Sequence, residues 1–306
     1  MSPSESRRHY EALSAHHGYY YTINRTLLKE RSDHQMVELV ETPNFGKVLL
    51  IDGITQVYET HEFQYHEPMV HCALAAHPEP RRVLIIGAGD GGVLREVAKY
   101  NCVREIDMVE LDGRVVEIAR AHLGAIHGGA FADPRLSLHI TDGRRFVEAH
   151  QKTYDAIIMD MTDPQGPSAL LYTREFLSNV RSALRNTKGV FCMHAESPDD
   201  RPWAFASIIK TNRSVFKYTT CFYQYLQQYG ANWCFAVSSP AIDVGRVRPR
   251  IINRRLKKYG VDALKLYTGE SHYAMQVSRP YIDAVLRRTD ARILTDAEPE
   301  FNDRFE

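Results

Sequence analysis

The sequence lacks several features that would assign the chain to a common class at once. Its 38 basic and 38 acidic side chains cancel, so no overall field attracts nucleic acid or an anionic membrane. None of the five cysteines has a Cys-x-x-Cys spacing and no His-Glu-x-x-His motif occurs, so we expect neither a disulfide framework nor a metal site. There is no long apolar run and no apolar secretory signal. These absences predict a cytoplasmic protein that binds small molecules rather than nucleic acid or membrane.

The length and pattern of the chain predict two unequal domains. A chain of 306 residues can bury an α/β core and leave material for a second domain. Alternating apolar and polar residues over 19–57 predict a small antiparallel β-domain, which needs the main domain or another copy to cover it. We therefore expect a homodimer or homotetramer, with a β-domain and linking helix at 1–72 and a Rossmann-like catalytic domain at 73–306. A short strand is predicted near 274–277.

A glycine turn follows the first buried strand of the larger domain. Val83–Ile86 is a continuous apolar run, and Gly87-Ala88-Gly89-Asp90-Gly91-Gly92 comes directly after it. Glycines allow a tight turn that a ligand can approach closely. The next apolar strand ends at Glu110, where a carboxylate can accept two hydrogen bonds from a ribose diol. The pattern predicts a nucleotide-binding unit in an α/β fold with a doubly wound sheet.

Asp90 narrows the choice of nucleotide. A negative charge in this turn would repel a pyrophosphate, whereas it would favour a ligand with an ammonium group near its adenosine. The turn therefore favours an adenosyl-sulfonium compound over a dinucleotide. The alternative is that Asp90 is an ordinary acid at a helix N-terminus, stabilised by the helix dipole.

Acidic residues also follow the third and fourth predicted strands. Asp142 comes after the third strand. At this place its carboxylate can accept a hydrogen bond from an adenine amine, or it can cap a helix. Asp160 and Asp163 follow the fourth strand. Two carboxylates buried together can raise at least one pKa and so provide a base or a site for a cationic substrate. A capped turn at Asp163-Pro164 is the structural alternative.

Two further segments carry more polar or aromatic residues than their positions require. The helix predicted from His61 has Glu62, Tyr65, His66 and Glu67 within about one turn, although these residues are also compatible with a solvated face. A tyrosine-rich strand pair that includes Tyr229 could provide an aromatic wall for an ammonium chain, or could belong to the core.

Together these motifs resemble those of the polyamine aminopropyltransferases, the spermidine synthase family, from about residue 35 to residue 288. The matching motifs, in chain order, are Leu50-Ile51-Asp52-Gly53 with Gln56, Glu62 with Tyr65-His66-Glu67, Gly87-Ala88-Gly89-Asp90-Gly91-Gly92, Val109-Glu110-Leu111-Asp112, Asp142-Gly143 and Asp160-x-x-Asp163-Pro164-x-Gly166-Pro167. The resemblance implies a transferase fold of the S-adenosylmethionine-dependent type. It also implies that decarboxylated S-adenosylmethionine, as co-substrate, donates an aminopropyl group to an amine and leaves 5'-methylthioadenosine, without a prosthetic group.

The resemblance further implies a role for each matching residue. The donor nucleoside would be bound by Gln35, Gly87, Gly89, Glu110, Asp142, Gly143 and Pro167. Asp90 would bind the aminopropyl ammonium group, and Asp160 would be the general base for the attacking amine. The acceptor amine would be positioned by Tyr65, His66, Asp90, Asp163 and Tyr229.

The departures from the family pattern lie mainly on the acceptor side. They are Ala88 for a glycine, His61 for an aspartate, Met161-Thr162 for a pair of serines, and Gln227-Gln228-Tyr229 for a segment with proline. Putrescine, giving spermidine, is the expected acceptor, with agmatine, cadaverine and spermidine as alternatives. Other functions compatible with the motifs are an S-adenosylmethionine-dependent methyltransferase, a non-catalytic polyamine-binding protein and, third, a nicotinamide oxidoreductase.

Overall fold

The apolar runs predicted as buried strands form one central sheet. The structure is a computed structural model that describes residues 7–13, 16–162, 166–299 and 301, with only the backbone at 166 and 167. The strands in this part of the chain are β1 Arg7–Ala12, β2 Gly18–Ile23, β3 Arg25–Arg31, β4 Met36–Thr42, β5 Gly46–Ile51, β6 Ile54–Tyr58, β7 Arg82–Gly87, β8 Glu105–Glu110, β9 Leu136–Ile140, β10 Ala156–Asp160, β11 Val190–His194, β12 Tyr218–Leu226 and β13 Ala231–Ser239. The α-helices are α1 Phe63–Leu74, α2 Gly92–Ala98, α3 Gly113–His122, α4 Gly124–His127, α5 Gly143–Ala149, α6 Arg174–Ala183, α7 Pro202–Val215, α8 Pro249–Lys258, α9 Gly269–Ala274 and α10 Pro280–Leu286. Short 3₁₀ helices span Ala130–Ala132, Gly166–Leu171 and Val244–Arg246.

The central sheet has seven strands in the order β12-β13-β11-β10-β7-β8-β9. Strands β7 to β11 are parallel to one another, and β12 and β13 complete one edge in antiparallel orientation. Helices α1, α2 and α8 contribute to the core on one face, and α6, α7 and α10 to the core on the other. Helices on both faces explain why Val83–Ile86 is apolar at every position. The predicted doubly wound α/β sheet is confirmed.

Parallel strands bring the candidate acids to one edge of this sheet. Glu110 is the last residue of β8 and Asp160 the last residue of β10, while Asp142 lies two residues beyond β9. Asp160 is paired in register with Gly87, the last residue of β7. In a doubly wound sheet, ligands bind in the crevice at this carboxyl edge.

The N-terminal part is the predicted antiparallel β-domain. Its four-stranded sheet has the order β3-β4-β5-β6, and β1 and β2 form a separate hairpin. Apolar residues of the four-stranded sheet pack against α3 and α4, which fixes this domain beside the main sheet; the buried cluster consists of Val37, Leu39, Leu49, Val57, Val115, Ile118, Ala119, Leu123 and Ile126. The predicted division at residue 72 falls within α1.

Two local features differ from the sequence-based expectations. The charged stretch from Arg7 forms β1, which the sequence pattern did not predict, because the strand is stabilised by pairing with β2 rather than by an apolar run. The strand predicted near 274–277 was wrong. That region is the end of α9 and the turn after it. Helix α9 begins with a capping box between Thr268 and Ser271, and such a cap favours a helix. Among the described residues, no helix has the length and apolarity needed to cross a bilayer.

Glu67 attaches the C-terminal part of the chain to α1. Its side chain is buried, at 1% exposure, and accepts backbone hydrogen bonds from Lys265 at 2.7 Å, Leu266 at 2.9 Å and Tyr267 at 2.8 Å. A carboxylate suits this position because both of its oxygens accept and neither donates.

We expect Glu67→Gln to destabilise the protein, because the amide would direct a donor at a backbone N–H in a buried site. Leaving a buried donor unpaired costs on the order of 1–3 kcal/mol, and urea unfolding at neutral pH should show a loss of at least this size. Glu117→Gln is the matched control, since Glu117 is exposed and pairs with Arg114 at the surface, and it should cost much less than Glu67→Gln. Equal losses in the two variants would contradict the structural role of Glu67.

Candidate active site

The glycine turn is closed against the end of β10. Gly87 and Gly91 have positive φ angles of 78° and 82°, and Ala88 adopts 63°, a conformation that favours glycine. A Cβ atom at Gly87 would lie 2.1 Å from the carbonyl oxygen of Asp160. The N–H of Ala88 donates to that same oxygen at 2.9 Å. The turn and the base predicted at Asp160 are therefore held together by the backbone.

Glu110 lies beside this turn, at the end of the neighbouring strand. A Cβ atom on Gly89 would approach its Oε2 to 3.2 Å, so glycine keeps the carboxylate accessible at that point. Burial raises the pKa of Glu110 to about 7. The hydrogen bond from the backbone N–H of Asp112 favours the ionised form and partly opposes this rise. A ribose diol that donates to this carboxylate would favour the charged form further.

Gln35 and Asp142 come from different parts of the fold: Gln35 precedes β4 of the β-domain, and Asp142 follows β9 of the central sheet. Gln35 reaches from the β-domain to Asp112, whose Oδ2 accepts from Gln35 Nε2 at 3.0 Å. Asp142 caps α5 by accepting from the N–H of Arg145 at 2.8 Å. The helix cap weighed for Asp142 is thus present, and it occupies Oδ1. Gly143 begins α5 directly after it.

Asp90 has the helix-terminal role that was the alternative interpretation, and a contact with His66 that the sequence did not predict. Its Oδ1 accepts from the N–H of Gly92 at 2.7 Å, which caps the start of α2. Its Oδ2 forms an ion pair with Nε2 of His66 at 3.3 Å. Burial opposes ionisation, but the charge of His66 and these contacts outweigh it and lower the pKa of Asp90. Asp90 is therefore a carboxylate that already has a cationic neighbour.

His66 lies between two carboxylates in the buried contact of α1 with α2. Its Nδ1 contacts Glu62 Oε2 at 2.8 Å, opposite the Asp90 contact at Nε2. Burial alone would lower the pKa of His66, but the two carboxylates raise it to about 10, so the ring is an imidazolium at neutral pH. A Cβ atom at Gly92 would lie 2.2 Å from the ring. Only glycine at 92 leaves room for this arrangement.

A chain of buried charges continues from Glu62 away from the turn. Arg95 contacts Glu62 at 2.7 Å and also Glu96 at 2.7 Å. Glu96 is fully buried and contacts Nε2 of His71 at 2.9 Å and Lys99 at 2.8 Å. Buried charges are tolerated when each has a partner of opposite sign. This chain holds α1 and α2 together and thereby fixes His66.

Asp160 faces α1 from the other side of the crevice. Its Oδ1 accepts from the hydroxyl of Tyr65 at 2.7 Å. Burial, followed by the charge of Asp90, raises the pKa of Asp160 to about 6, while His66 and the Tyr65 hydrogen bond act in the opposite direction. The Tyr65 ring meets the ring of Tyr229 edge-on at 6.2 Å. Asp160 is therefore a carboxylate with a raised pKa, oriented by Tyr65 and next to an aromatic wall.

A cavity of about 250 Å³ extends from Tyr65 and Met161 towards the hairpin of β1 and β2. Its lining includes several charged and aromatic residues that the sequence analysis did not select: Glu11, His194, Glu196, Asp200, Arg201 and Trp233. Arg201 contacts Glu196 at 3.2 Å, and His194 stacks on Trp233 at 5.7 Å. The cavity combines apolar walls with carboxylates and one guanidinium group, which suits an extended cationic chain.

Most of the predicted site residues thus lie around one crevice, with two exceptions. Asp163 lies outside the described residues, and the side chain of Pro167 is not described. Within the part of the chain that the structure describes, no three His, Cys, Asp or Glu side chains are placed to hold a metal ion. Little in the sequence indicated the additional charged residues of the cavity. Glu11 lies in a strand that was not predicted, and Glu196 and Arg201 lie in a loop.

Comparisons with known proteins agree with this geometry. Residues 62–244 match the family model of the spermine/spermidine synthase domain, and residues 9–59 match the spermidine synthase tetramerisation domain. The polyamine aminopropyltransferase of Nitrosomonas europaea is 38% identical over 276 residues, which cover 90% of this chain and 85% of the relative. That of Sulfolobus acidocaldarius is 37% identical over 266 residues, covering 86% and 88%.

Solved structures show the same similarity at the level of the fold. The spermidine synthase of Thermotoga maritima superposes with a TM-score of 0.86 at 32% identity, covering 93% of this chain and 96% of that chain. A spermidine synthase in complex with the transition-state analogue AdoDATO gives a TM-score of 0.87 at the same identity and coverage.

We expect His66 to remain protonated through neutral pH, because its pKa is raised to about 10. The ¹⁵N shifts of its ring should stay those of an imidazolium between pH 6 and about 8.5. His77 is an internal control whose pKa shifts in the opposite direction. Burial lowers its pKa to about 4, so its ring should stay neutral. Because the folded pKa of His66 exceeds the ordinary value of 6.5, its contribution to stability is complete below that pH and is lost as pH rises through about 10. Titration of His66 near pH 6.5 would rule out the two-carboxylate environment.

Proposed function

The chain belongs to the spermine/spermidine synthase family, and we propose that it transfers the aminopropyl group of decarboxylated S-adenosylmethionine to an amine acceptor. The single observation that carries this proposal is the position of Asp160. It lies between a glycine turn suited to an adenosyl donor and an aromatic cavity suited to an amine. The other product would be 5'-methylthioadenosine.

The donor half of the crevice would bind the nucleoside through neutral and acidic groups. We assign Glu110 to the ribose diol, and the backbone at Gly87 and Gly89 to close contact with the donor. Gln35, Asp142, Gly143 and Pro167 would surround the remainder of the nucleoside. A similar spermidine synthase forms a complex with the transition-state analogue AdoDATO, which supports decarboxylated S-adenosylmethionine as the donor.

Asp90 would bind the ammonium end of the aminopropyl group. His66 pairs with Asp90 and Arg95 pairs with Glu62, so this cluster is balanced in charge. Asp160 adds a carboxylate close enough for the charge of Asp90 to raise its pKa. A methyltransferase would instead bind S-adenosylmethionine with its carboxylate, which Asp90 and Asp160 would repel. These two carboxylates therefore favour the decarboxylated donor.

Asp160 would act as general base on the acceptor. An amine of ordinary pKa near ~10 is mostly protonated at neutral pH, and only the neutral form has a lone pair for attack. In the transfer, the nitrogen forms a bond to the carbon next to the sulfonium, the carbon–sulfur bond breaks with its electrons on sulfur, and the amine proton passes to Asp160. Tyr65, His66, Asp163 and Tyr229 would position the acceptor, and positioning supplies much of the remaining rate enhancement.

The acceptor cavity favours a cationic chain. Glu11, Glu196 and Asp200 lie in its lining with Arg201 as the basic residue among them, so a carboxylate excess remains for a distal ammonium group. We propose putrescine as acceptor and spermidine as product. Agmatine, cadaverine and spermidine have the same charge type and remain alternatives.

We also propose that the active form is a homodimer or homotetramer that uses the β-domain. The match of residues 9–59 to a tetramerisation domain supports assembly through this region. The cysteines of the chain are free thiols, which supports the predicted cytoplasmic location.

We expect Asp160→Asn to lose at least ~100-fold in turnover while donor binding survives, since general bases contribute on this order. The wild-type kcat/KM for the amine should rise with pH through about 6, because a base acts when deprotonated and the pKa of Asp160 is raised to that value. This rise of kcat/KM through about pH 6 should be absent in Asp160→Asn. Unchanged turnover would contradict the assigned base and favour a non-catalytic polyamine-binding protein.

We expect an assay with decarboxylated donor and separate putrescine, cadaverine, agmatine and spermidine to give an aminopropylated product, identified by mass, with putrescine preferred. Glu196→Gln should raise KM for a diamine more than it lowers kcat, because Glu196 lies in the cavity lining away from Asp160. Methyl transfer from intact S-adenosylmethionine, without any aminopropyl product, would overturn the proposed function.

A further inference from the structure

A second groove lies at the opposite edge of the central sheet from the active site. It has a volume of about 470 Å³ and is bordered by the residues that precede β10, by α6 and by the end of α7. These segments lie at the amino ends of the parallel strands, whereas Asp160 lies at a carboxyl end. The volume is within the range of small-molecule sites, roughly 300–1,000 Å³.

Helix α6 presents a basic face to this groove. Arg174, Ser178 and Arg181 line it, at spacings of four and three residues that place them along one side of the helix. Arg185, which follows the end of α6 at Ala183, also lines the groove. Lys152 lines the groove from another element. Its backbone adopts a φ of 50°, and its N–H donates to the carbonyl of Ser182 at 2.9 Å. The groove therefore has basic side chains on two elements that are tied together.

Two of the guanidinium groups are anchored by backbone carbonyls. Arg181 Nη1 donates to the carbonyl of Val215 at 2.9 Å, and Arg185 donates to the carbonyl of Thr153 at 3.2 and 3.3 Å. Carbonyl groups anchor a guanidinium without neutralising its charge. An arginine held in this way loses less entropy when its remaining N–H groups bind an anion.

The charges around the groove leave an excess of positive charge. Its described lining has four basic residues and no acidic one. The nearest acids lie beside it: Glu175 contacts Arg174 at 3.3 Å and Asp155 contacts Arg185 at 3.5 Å. The carbonyls at the end of α6, which would repel an anion, accept hydrogen bonds from residues 152–154. Arginines with free N–H groups bind phosphate oxygens well.

We propose that this groove binds a small anion that carries two or more phosphate groups. Seven residues separate Arg174 from Arg181, about 10 Å along a helix, so an extended anion with several phosphates can contact more of the basic side chains than a single phosphate can. The described lining has no aromatic side chain on which a base could stack, so the phosphates rather than a base are recognised. This site is independent of the aminopropyl transfer proposed above.

Titration calorimetry of the full-length protein with inorganic tripolyphosphate tests the proposal. We expect saturable binding in the sub-millimolar range that weakens with salt, and at least tenfold weaker binding of orthophosphate, because each charge-assisted contact contributes about tenfold. Arg181→Gln should weaken tripolyphosphate binding about tenfold. If Arg181 proves necessary for folding, the double variant Lys152→Gln/Arg174→Gln replaces it in the test, since both substituted side chains are exposed. This variant should also weaken tripolyphosphate binding about tenfold.

The matched control removes the same charge from a convex basic surface. Arg250→Gln/Lys257→Gln on α8 changes two exposed basic residues that do not line the groove, and should leave binding unchanged. Equal weakening in this control would show non-specific attraction and overturn the proposal. Absence of binding at ~10 mM tripolyphosphate would also overturn it, as would tighter, base-dependent binding of a single-stranded oligonucleotide. Aminopropyl transfer, measured separately, should be unchanged in all three variants.

Discussion

The contact of His66 with Glu62 and Asp90 is the interaction on which the arrangement of the crevice depends. It joins α1 to the glycine turn, and it requires glycine at 92 because any larger residue would occupy the space of the ring. Removing one partner of a buried ion pair leaves an uncompensated charge, so neither side of the contact can change alone. Three consecutive residues of α1 contact three separate parts of the chain: Tyr65 contacts Asp160, His66 contacts Asp90 and Glu67 contacts the segment from Lys265. One helix therefore sets the position of the glycine turn, of Asp160 and of the C-terminal region.

Three carboxylates of the crevice have different pKa shifts because their surroundings differ. His66 lowers the pKa of Asp90 although the group is buried. Burial and the charge of Asp90 outweigh His66 at Asp160 and raise its pKa to about 6, and burial raises the pKa of Glu110 to about 7. Differences of this kind let similar groups take different chemical roles. A permanently charged Asp90 suits a cation, Asp160 can gain a proton near neutral pH, and Glu110 becomes fully charged when a donor group approaches. The sequence predicted only that acids line the crevice, whereas in the structure these acids differ in their pKa shifts.

The sequence predicted those parts of the structure that follow from local pattern and from topology. Apolar runs identified the strands, and parallel topology alone then required Glu110, Asp142 and Asp160 to share one edge. The pairing of His66 with Asp90 could not be predicted in this way, because 24 residues separate them and the contact depends on the packing of α1 on α2. The strand β1 was missed for a similar reason: its partner strand, rather than its own composition, stabilises it. Glu11, which lines the cavity next to Tyr65, was missed together with that strand.

The distribution of charge is as informative as its sum. Equal numbers of acidic and basic residues argue against a field over the whole molecule, but they do not prevent opposite charges from collecting at opposite edges of one sheet. Carboxylates collect at the carboxyl edge, around Asp160, and basic residues at the amino edge, around Arg181. Such a separation costs little, since charges farther apart than the Debye length of ~10 Å at 0.1 M salt are largely screened from each other when exposed to solvent. A neutral chain can therefore present one crevice to cations and another to anions, and a net charge of zero excludes neither.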